Sequence, residues 1–435
     1  MTETSHLWRP SSPEPVAPWR PPSVIEDACR APVAVDLFCG AGGLSAGLAS
    51  AGLSVVAHVD HWGPAVDTLN ENFHEQRQPV DIVDLSAADV RRLADGTPDV
   101  LTGGPPCQSF TSAGRRWHRD PRGSLVGVYS RLAAELRPRV VVFENVEGFL
   151  TTGGGRFVFD LLDPLLESGY RVAVRKVNLA NFGVPQHRKR VIVVASLGAD
   201  PPFPKPTHSA WGAPGAEHVA GRPPTPTVDE ALAGLPAPGS DEAPKGHVIA
   251  KVSDLERRRM AGLKPGQTMR DLPAELWHDS YRKRAYRRVM DGTPTERRGG
   301  APAGLRRLLG NQPSKAITSA ATREFVHPCA DRRLTLRETA RLQTFSDDFV
   351  FCGSPTDQAT LIGNAIPPRF AEAVGCALRD HFVCFPDAKA SGDGKGALME
   401  FTTTSAEAMS PALAKVVSQV RDRYLAETLF ASLTR

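Results

Sequence analysis

The sequence predicts an α/β fold: a doubly wound, mostly parallel sheet interrupted by a smaller basic insertion. Three observations predict it. From Ala31 onward, short β-branched runs alternate with helical patterns. The runs are apolar on both faces, as strands covered by helices on two sides must be. The regular texture stops near residue 200 and resumes near Asp331. In order, Val33–Leu37 is a strand, Leu44–Ala51 a helix, Ser54–Val59 a strand and Ala65–Phe73 a helix. Val100–Leu101 ends a further strand, Val140–Phe143 forms another, and Val191–Ala195 is the last before the break. A sheet of this kind binds its ligands at the carboxyl ends of the strands.

The chain has 435 residues, with 52 Lys+Arg against 48 Asp+Glu and a formal charge of +4. Hydrophobic content of 41% and charged content of 23% are ordinary for a soluble globular protein, which excludes a disordered or fibrous class. No stretch approaches the roughly 18 apolar residues of a membrane helix, and the Pro-rich residues 1–30 lack the apolar core of a secretory signal. That segment reads as a flexible tail. Seven cysteines without a CxxC spacing fit neither a disulfide framework nor a structural zinc site, so no metal is expected. A cytoplasmic, reducing setting follows.

Beyond residue 200 the composition shifts. Residues 201–246 are rich in Pro, Gly and Ala, and residues 251–310 carry 15 Lys/Arg against 7 Asp/Glu. A local charge of +8 inside a chain of +4 marks this insertion as the basic part of the molecule. After Phe385 a Gly-rich break at Ser391–Gly396 precedes an amphipathic stretch from about Glu407 to Leu433.

The first strand runs into Phe38-Cys39-Gly40-Ala41-Gly42-Gly43, a Gly-rich turn that opens a helix. Glycine lets a backbone turn sharply and approach a ligand, and a helix N-terminus offers unpaired N–H groups. The spacing gives Gly40-x-Gly42 and then Ser45, so the third glycine of a dinucleotide fingerprint is missing. Asp60 ends the second strand about twenty residues on, where a carboxylate can hold ribose hydroxyls. Asp81 follows the next turn and can accept from an adenine amino group. Alone, each acid reads as a cap or a solvated charge; in strand order the pair points to an adenosyl ligand.

Asp99-Val100-Leu101-Thr102-Gly103-Gly104-Pro105-Pro106-Cys107-Gln108 is the most informative segment. An arbitrary cysteine is usually a small buried hydrophobe. Cys107 instead follows a strand end and two prolines, which fix φ and hold it rigidly at the mouth of the site. It is a candidate nucleophile, acting as the thiolate. The polar Thr111–Gly123 reads as a lid over a bound polyanion.

At this point the sequence resembles the cytosine-C5 DNA methyltransferase family over residues 31–205 and 310–385. The matches, in the family's order, are Asp36–Gly43, Gly104–Gln108, Phe143-Glu144-Asn145-Val146, Gln186–Arg190, Arg337–Gln343 and Gly363–Pro368. Any one is weak; six in order are specific. The resemblance implies the class I S-adenosylmethionine-dependent methyltransferase fold with an inserted target-recognition domain. The division expected is a catalytic domain of residues 31–204 plus 355–385, a recognition domain of 205–354 and a C-terminal extension of 386–435.

The resemblance also implies roles. Cys107 adds to C6 of cytosine. Glu144, ending an apolar strand, shares a proton with N3. Arg190 donates to O2 and Arg188 supports the active-site loop, the two alternating along one strand with Lys189 opposite. Phe38, Asp60, Asp81 and Pro106 line the S-adenosyl-L-methionine site together with Gly40 and Gly42, and Asn364 sets the last helix beside that loop. Asp60 stands where the family more often has Glu, which shortens the reach to the ribose. The runs Glu256–Arg259, Ser280–Arg288 and Glu296–Arg298 fall where the family reads its target.

Double-stranded DNA is then the partner, with a cognate restriction endonuclease not stably bound, and the enzyme acts as a monomer at the bacterial nucleoid. Two alternatives are a tRNA cytosine-C5 methyltransferase, disfavoured by the long basic insertion, and a nicotinamide-dependent oxidoreductase, disfavoured by the missing glycine. A catalytically dead DNA-binding relative would need a lost motif, and none is lost.

Overall fold

β-branched runs bounded by Gly and Pro form the strands, and the alternation along each decides which helix covers it. The computed structural model of the protein describes residues 30–74, 76–106, 124–279, 281–282, 304–388, 394–402 and 409–425. In chain order the strands are β1 (Val33–Leu37), β2 (Ser54–Val59), β3 (Val100–Gly103), β4 (Val140–Asn145), β5 (Arg171–Asn178) and β6 (Gln186–His187). They continue with β7 (Lys189–Ser196), β8 (Arg306–Arg307), β9 (Ser314–Lys315), β10 (Phe325–Val326) and β11 (Ala397–Thr402). A seven-stranded sheet runs in the order β2-β1-β3-β4-β7-β5-β11. β7 is antiparallel to both β4 and β5, and the other pairings in that sheet are parallel.

The order reverses at β1. The chain goes outward to β2, then returns to pair β3 on the other side of β1. A crevice opens outside the carboxyl ends of strands at such a reversal. The Gly-rich turn leaves β1 there, and Gly104–Pro106 leave β3 beside it.

Both faces of the sheet are buried by helices, of which α1 (Gly43–Ser50) and α2 (Gly63–Phe73) come first in the chain. Val35, Leu37, Leu101 and Phe143 pack on one side with Val90 of α3 (Ala87–Leu93), Leu132 of α4 (Leu125–Leu136) and Leu161 of α5 (Arg156–Glu167). Ala34, Val100 and Val142 pack on the other side against Leu44 and Leu48 of helix Gly43–Ser50, and Phe370, Val374 and Leu378 of helix Pro368–Cys384. Those last two helices touch through backbone. A Cβ at Gly43 would collide with the Ile366 carbonyl, and one at Gly47 with Pro368 and Ala371. Only glycine allows this approach.

The inserted region carries short elements and a small core of Met260, Leu263, Met269, Leu272, Leu305 and Val326. A second cluster joins it to the returning chain, with Val228, Leu308 and Ile317 packed with Phe345, Phe349 and Leu361.

The sequence places residues 386–435 in an extension outside the catalytic domain. The structure differs: β11 pairs in parallel with β5 and supplies the edge strand of the sheet. Helix Pro411–Val420 follows it and buries Leu413, Val416 and Val420 in the core shared by α4 and α5. The composition hid this strand, because Ala-Leu-Met-Glu-Phe-Thr contains only one β-branched residue. Val416 fills the space beside Gly155, the residue that caps α5. Deleting its two buried methyls should cost about 2 kcal/mol. A Val416→Ala protein is therefore expected to unfold at lower urea with an unchanged slope.

Candidate active site

Three of five consecutive residues after β1 adopt left-handed backbone: Phe38 (φ 56°), Gly40 (φ 54°) and Gly42 (φ 80°). Bulky side chains rarely tolerate that region, so Phe38 is held there by its surroundings. Two aspartates do much of the holding. Asp36 is buried and accepts from Ser45 Oγ at 2.6 Å and from Thr102 Oγ1 at 2.8 Å, tying β1 to the following helix and to β3. Burial raises its pKa, and these two hydrogen bonds oppose the rise.

Asp60 lies just beyond β2 and grips the loop itself. Its Oδ2 accepts the Gly40 N–H at 2.9 Å and its Oδ1 accepts the Trp62 N–H at 2.9 Å. Both oxygens thus have a backbone donor, leaving the outer lone pairs for a ligand. The shorter Asp is suited to this inward grip. Asp81 is exposed and accepts from the Val83 N–H at 3.1 Å, while the neighbouring Val80 N–H donates to the Asp60 carbonyl at 2.9 Å. Asn364 is exposed at the end of helix Pro355–Asn364, two residues before the Ile366 carbonyl that abuts Gly43. Gly40 and Asp60 thus meet directly, and Asp81 and Asn364 lie in segments that adjoin this loop through Val80 and Ile366. Beyond its chain neighbours, no atom of the described residues lies within 4 Å of the position a Cβ would take on Gly40. Open space over a glycine loop, with carboxylates at its rim and a helix N-terminus below, fits an adenosyl amino acid.

The second half of the crevice is the end of β3 against the end of β4. Gly103 stands opposite Phe143 in the parallel register. One residue on, the Glu144 side chain lies over Gly104, with Oε2 3.3 Å from where a Cβ would be. Asn145 Nδ2 then donates to the Pro105 carbonyl at 2.8 Å and fixes the start of the Pro-Pro turn. Pro106 is exposed beyond it. Cys107 and the Thr111–Gly123 segment lie outside the described residues.

Glu144 Oε1 sits 2.6 Å from Arg190 Nε, both side chains only 13% exposed. Among the described residues that nitrogen has no aligned acceptor, so the contact is one of charge, while Nη1 donates to the Lys189 carbonyl at 2.8 Å. Nearby, Glu147 lies between Lys176 (2.5 Å) and Lys189 (3.1 Å). Burial pulls its pKa up, and the two ammonium groups outweigh that to hold it low. No spacing in the sequence signals this cluster, since its members come from three separate elements.

Arg188 departs from the expected alternation with Arg190. It falls in the break between β6 and β7, where its N–H bonds back to the Gln186 carbonyl at 3.1 Å. Its side chain is 1% exposed. Nη1 donates to the Ile317 carbonyl at 2.7 Å, and Nη2 to those of Gly363 at 2.9 Å and Ala365 at 3.0 Å. Burial and then the Arg190 charge push its pKa down, with Glu144 opposing.

Gln186 completes the clamp. It donates to the Leu342 carbonyl at 2.7 Å and to Gln343 Oε1 at 2.8 Å, and accepts from the Ile317 N–H at 2.8 Å. The Arg337–Gln343 motif is likewise structural. Arg337 donates to the carbonyls of Lys245, Ser346 and Phe349, and Glu338 forms a two-pronged pair with Arg332 at 2.7 and 2.8 Å.

Of the three basic runs, Glu256–Arg259 divides. Glu256 and Arg259 are buried partners of one another, Arg257 pairs with Asp254, and Arg258 is exposed. Most of Ser280–Arg288 and all of Glu296–Arg298 lie outside the described residues.

Two outcomes test the clamp. Arg188→Gln orphans buried carbonyls and should cost at least about 2 kcal/mol of stability, read by urea denaturation. Burial alone would raise the Glu338 pKa, but hydrogen bonds from Arg332 and the Thr335 N–H leave it lowered. Its contribution is thus present above the unfolded carboxylate value and lost as pH falls through the folded one. Wild-type urea midpoints should therefore drop as the solution is acidified below about pH 4.3. Glu338→Gln should be less stable at neutral pH and show a shallower acid decline.

Residues 33–379 match the sequence profile of C-5 cytosine-specific DNA methylase. The Type II methyltransferase M.AgeI of Thalassovita gelatinovora is 30% identical over 428 residues, covering 79% of this chain and 98% of that protein. M1.HphI of Haemophilus parahaemolyticus is 31% identical (80% and 87% covered), and M.NgoFVII of Neisseria gonorrhoeae 32% (80% and 86%). The fold is shared with a solved prophage-encoded protein of E. coli, at a TM-score of 0.58 and 21% identity over 80% of this chain and 99% of that one. With a sheet of this topology and six motifs in order, the chain belongs to the C-5 cytosine-specific DNA methylase family and is a DNA (cytosine-5-)-methyltransferase.

Proposed function

We propose that this enzyme methylates C5 of a cytosine flipped out of a specific duplex sequence, through a transient bond between Cys107 and C6. The observation that carries the reading is the Glu144–Arg190 pair, 2.6 Å apart, at the mouth of the Gly104–Pro106 turn that leads to Cys107. S-adenosyl-L-methionine, when bound, supplies an electrophilic methyl group. Phe38, Gly40, Gly42, Asp60, Asp81, Pro106 and Asn364 would hold it in the crevice between β1 and β3.

C5 of cytosine is a weak nucleophile in an electron-poor ring. Addition of the Cys107 sulfur to C6 breaks the aromaticity and places electron density on C5 and N3. Glu144 holds a proton at N3 as that charge develops, and Arg190 donates to O2. The pair keeps both groups at the same edge of the site, and the two part to take up N3 and O2 when the ring enters. After C5 has gained its methyl, its proton goes to water, and the sulfur leaves C6 to restore the ring. The base must leave the helix for this, which costs a few kcal/mol of stacking; phosphate contacts by the insertion supply part of it.

The Type II names of the relatives support a further reading: the chain is the modification partner of a restriction endonuclease, with no stable complex between them. It acts as a monomer on the cytoplasmic chromosome. No helix among the described residues is long and apolar enough to cross a membrane.

Duplexes carrying 5-fluorocytosine at the target keep a fluorine where the proton should depart, so the wild-type enzyme should form an adduct that survives denaturing electrophoresis. Cys107→Ser should form none. Glu144→Gln should transfer tritiated methyl groups some 10²- to 10⁴-fold more slowly. A wild-type protein that leaves such duplexes unmodified contradicts the reading.

A further inference from the structure

A cavity of about 280 Å³ lies beside the paired β6 and β9, between the sheet and the insertion. Its walls include His187 on β6, Trp211 from the loop after β7, and Arg306, Asn311, Gln312 and Lys315 from the segment β8 to β9. It is separate from the crevice at β1 and β3. His187 lies three residues before Arg190, so the cavity adjoins the Glu144–Arg190 pair along the chain.

What sets these side chains apart is that the fold does not use them. Arg307, next to Arg306, is consumed internally: it donates to the carbonyls of Leu263, His327, Ala330 and Met260 and pairs with Asp331. Arg259, Arg332, Arg333 and Arg341 are committed in the same way. Arg306, Asn311, Gln312 and Lys315 make no side-chain hydrogen bond or ion pair among the described residues. The Trp211 indole is 60% exposed, a large apolar face left open to solvent. Burial, and then the charge of Lys315, lower the His187 pKa and favour its neutral ring.

An open indole, two amides and two uncommitted cations around one cavity match a nucleobase with its adjoining phosphates. When the target cytosine leaves the stack, the face of the neighbouring base is uncovered. We propose that this cavity receives such a neighbouring base and is where part of the recognition sequence is read. Trp211 stacks on the base, Asn311 and Gln312 bond its edge, and Arg306 and Lys315 neutralise flanking phosphates. The inference rests on the proposed action on duplex DNA.

The test uses the full chain, with methylated plasmid libraries sequenced for 5-methylcytosine and duplex affinity measured against salt. Asn311→Ala/Gln312→Ala should relax or change the methylated sequence at one position or more, with at least tenfold lost discrimination. Arg306→Gln/Lys315→Gln should weaken binding to every sequence and lower the slope of log affinity against log salt by about two. Trp211→Ala should bind duplex roughly tenfold more weakly. An unchanged methylated sequence in the first variant, or an unchanged salt slope in the second, overturns the proposal. So does a marked fall in Tm, because it would mean that these side chains support the fold. If the wild type leaves DNA unmethylated, the reaction itself is wrong, and the salt slopes, read from binding alone, still decide the cavity.

Discussion

A chain that leaves its sheet at Ser196 and returns at Pro368 must fasten two distant segments, and here a buried guanidinium fastens them. Arg188 has no carboxylate within its hydrogen bonds; it is neutralised by the dipoles of three carbonyls, two of which belong to the returning turn Gly363–Ala365. Gln186 and Gln343 extend the same network to Leu342, Ile317 and Ile362. Loop closure becomes only slowly more costly with length, so one clamp of three hydrogen bonds, made by Nη1 and Nη2 while Nε has no partner among the described residues, can secure a long excursion. The returning turn in turn sets Ile366 against Gly43, at the start of the helix below the glycine loop. The crevice and the catalytic edge both lean on this one side chain.

The excess positive charge of the insertion has two destinations. Much of it is turned inward, where Arg259, Arg307, Arg332 and Arg333 bond carbonyls and carboxylates and substitute for the large apolar core that this region lacks. Among the described residues, Arg306 and Lys315 keep side chains without such partners. Counting basic residues therefore overstates the charge available to a polyanion, and the distinction becomes visible only when each guanidinium is followed to its partners.

The strands were legible because Val33–Leu37 and Val140–Phe143 are β-branched, apolar on both faces and bounded by Gly, Pro or charge. The glycine loop was legible for the same kind of reason: only a few residue types accept its backbone. Other features were not. β11 lacks the strand-forming residues and draws its order from pairing with β5. Arg188 reads as one member of an alternating pair until the short bond between its N–H and Gln186 shows the strand interrupted. Asp60 has the composition of a ligand-facing acid, but its inward hydrogen bonds depend on where the loop doubles back. The placement of Glu144 over Gly104 follows from strand register, which no spacing encodes.

The position of β11 bears on how the molecule is made. On the ribosome β5 emerges long before β11, so during most of translation its outer edge carries unpaired peptide groups and no neighbour. An open edge is an invitation to pair with another nascent chain, and the exposure ends only when the late strand docks. Premature termination after Ser196 but before Ala397 would leave a sheet lacking only this strand, with an adhesive border, so such truncated products should be cleared or deposited rather than persist as active fragments.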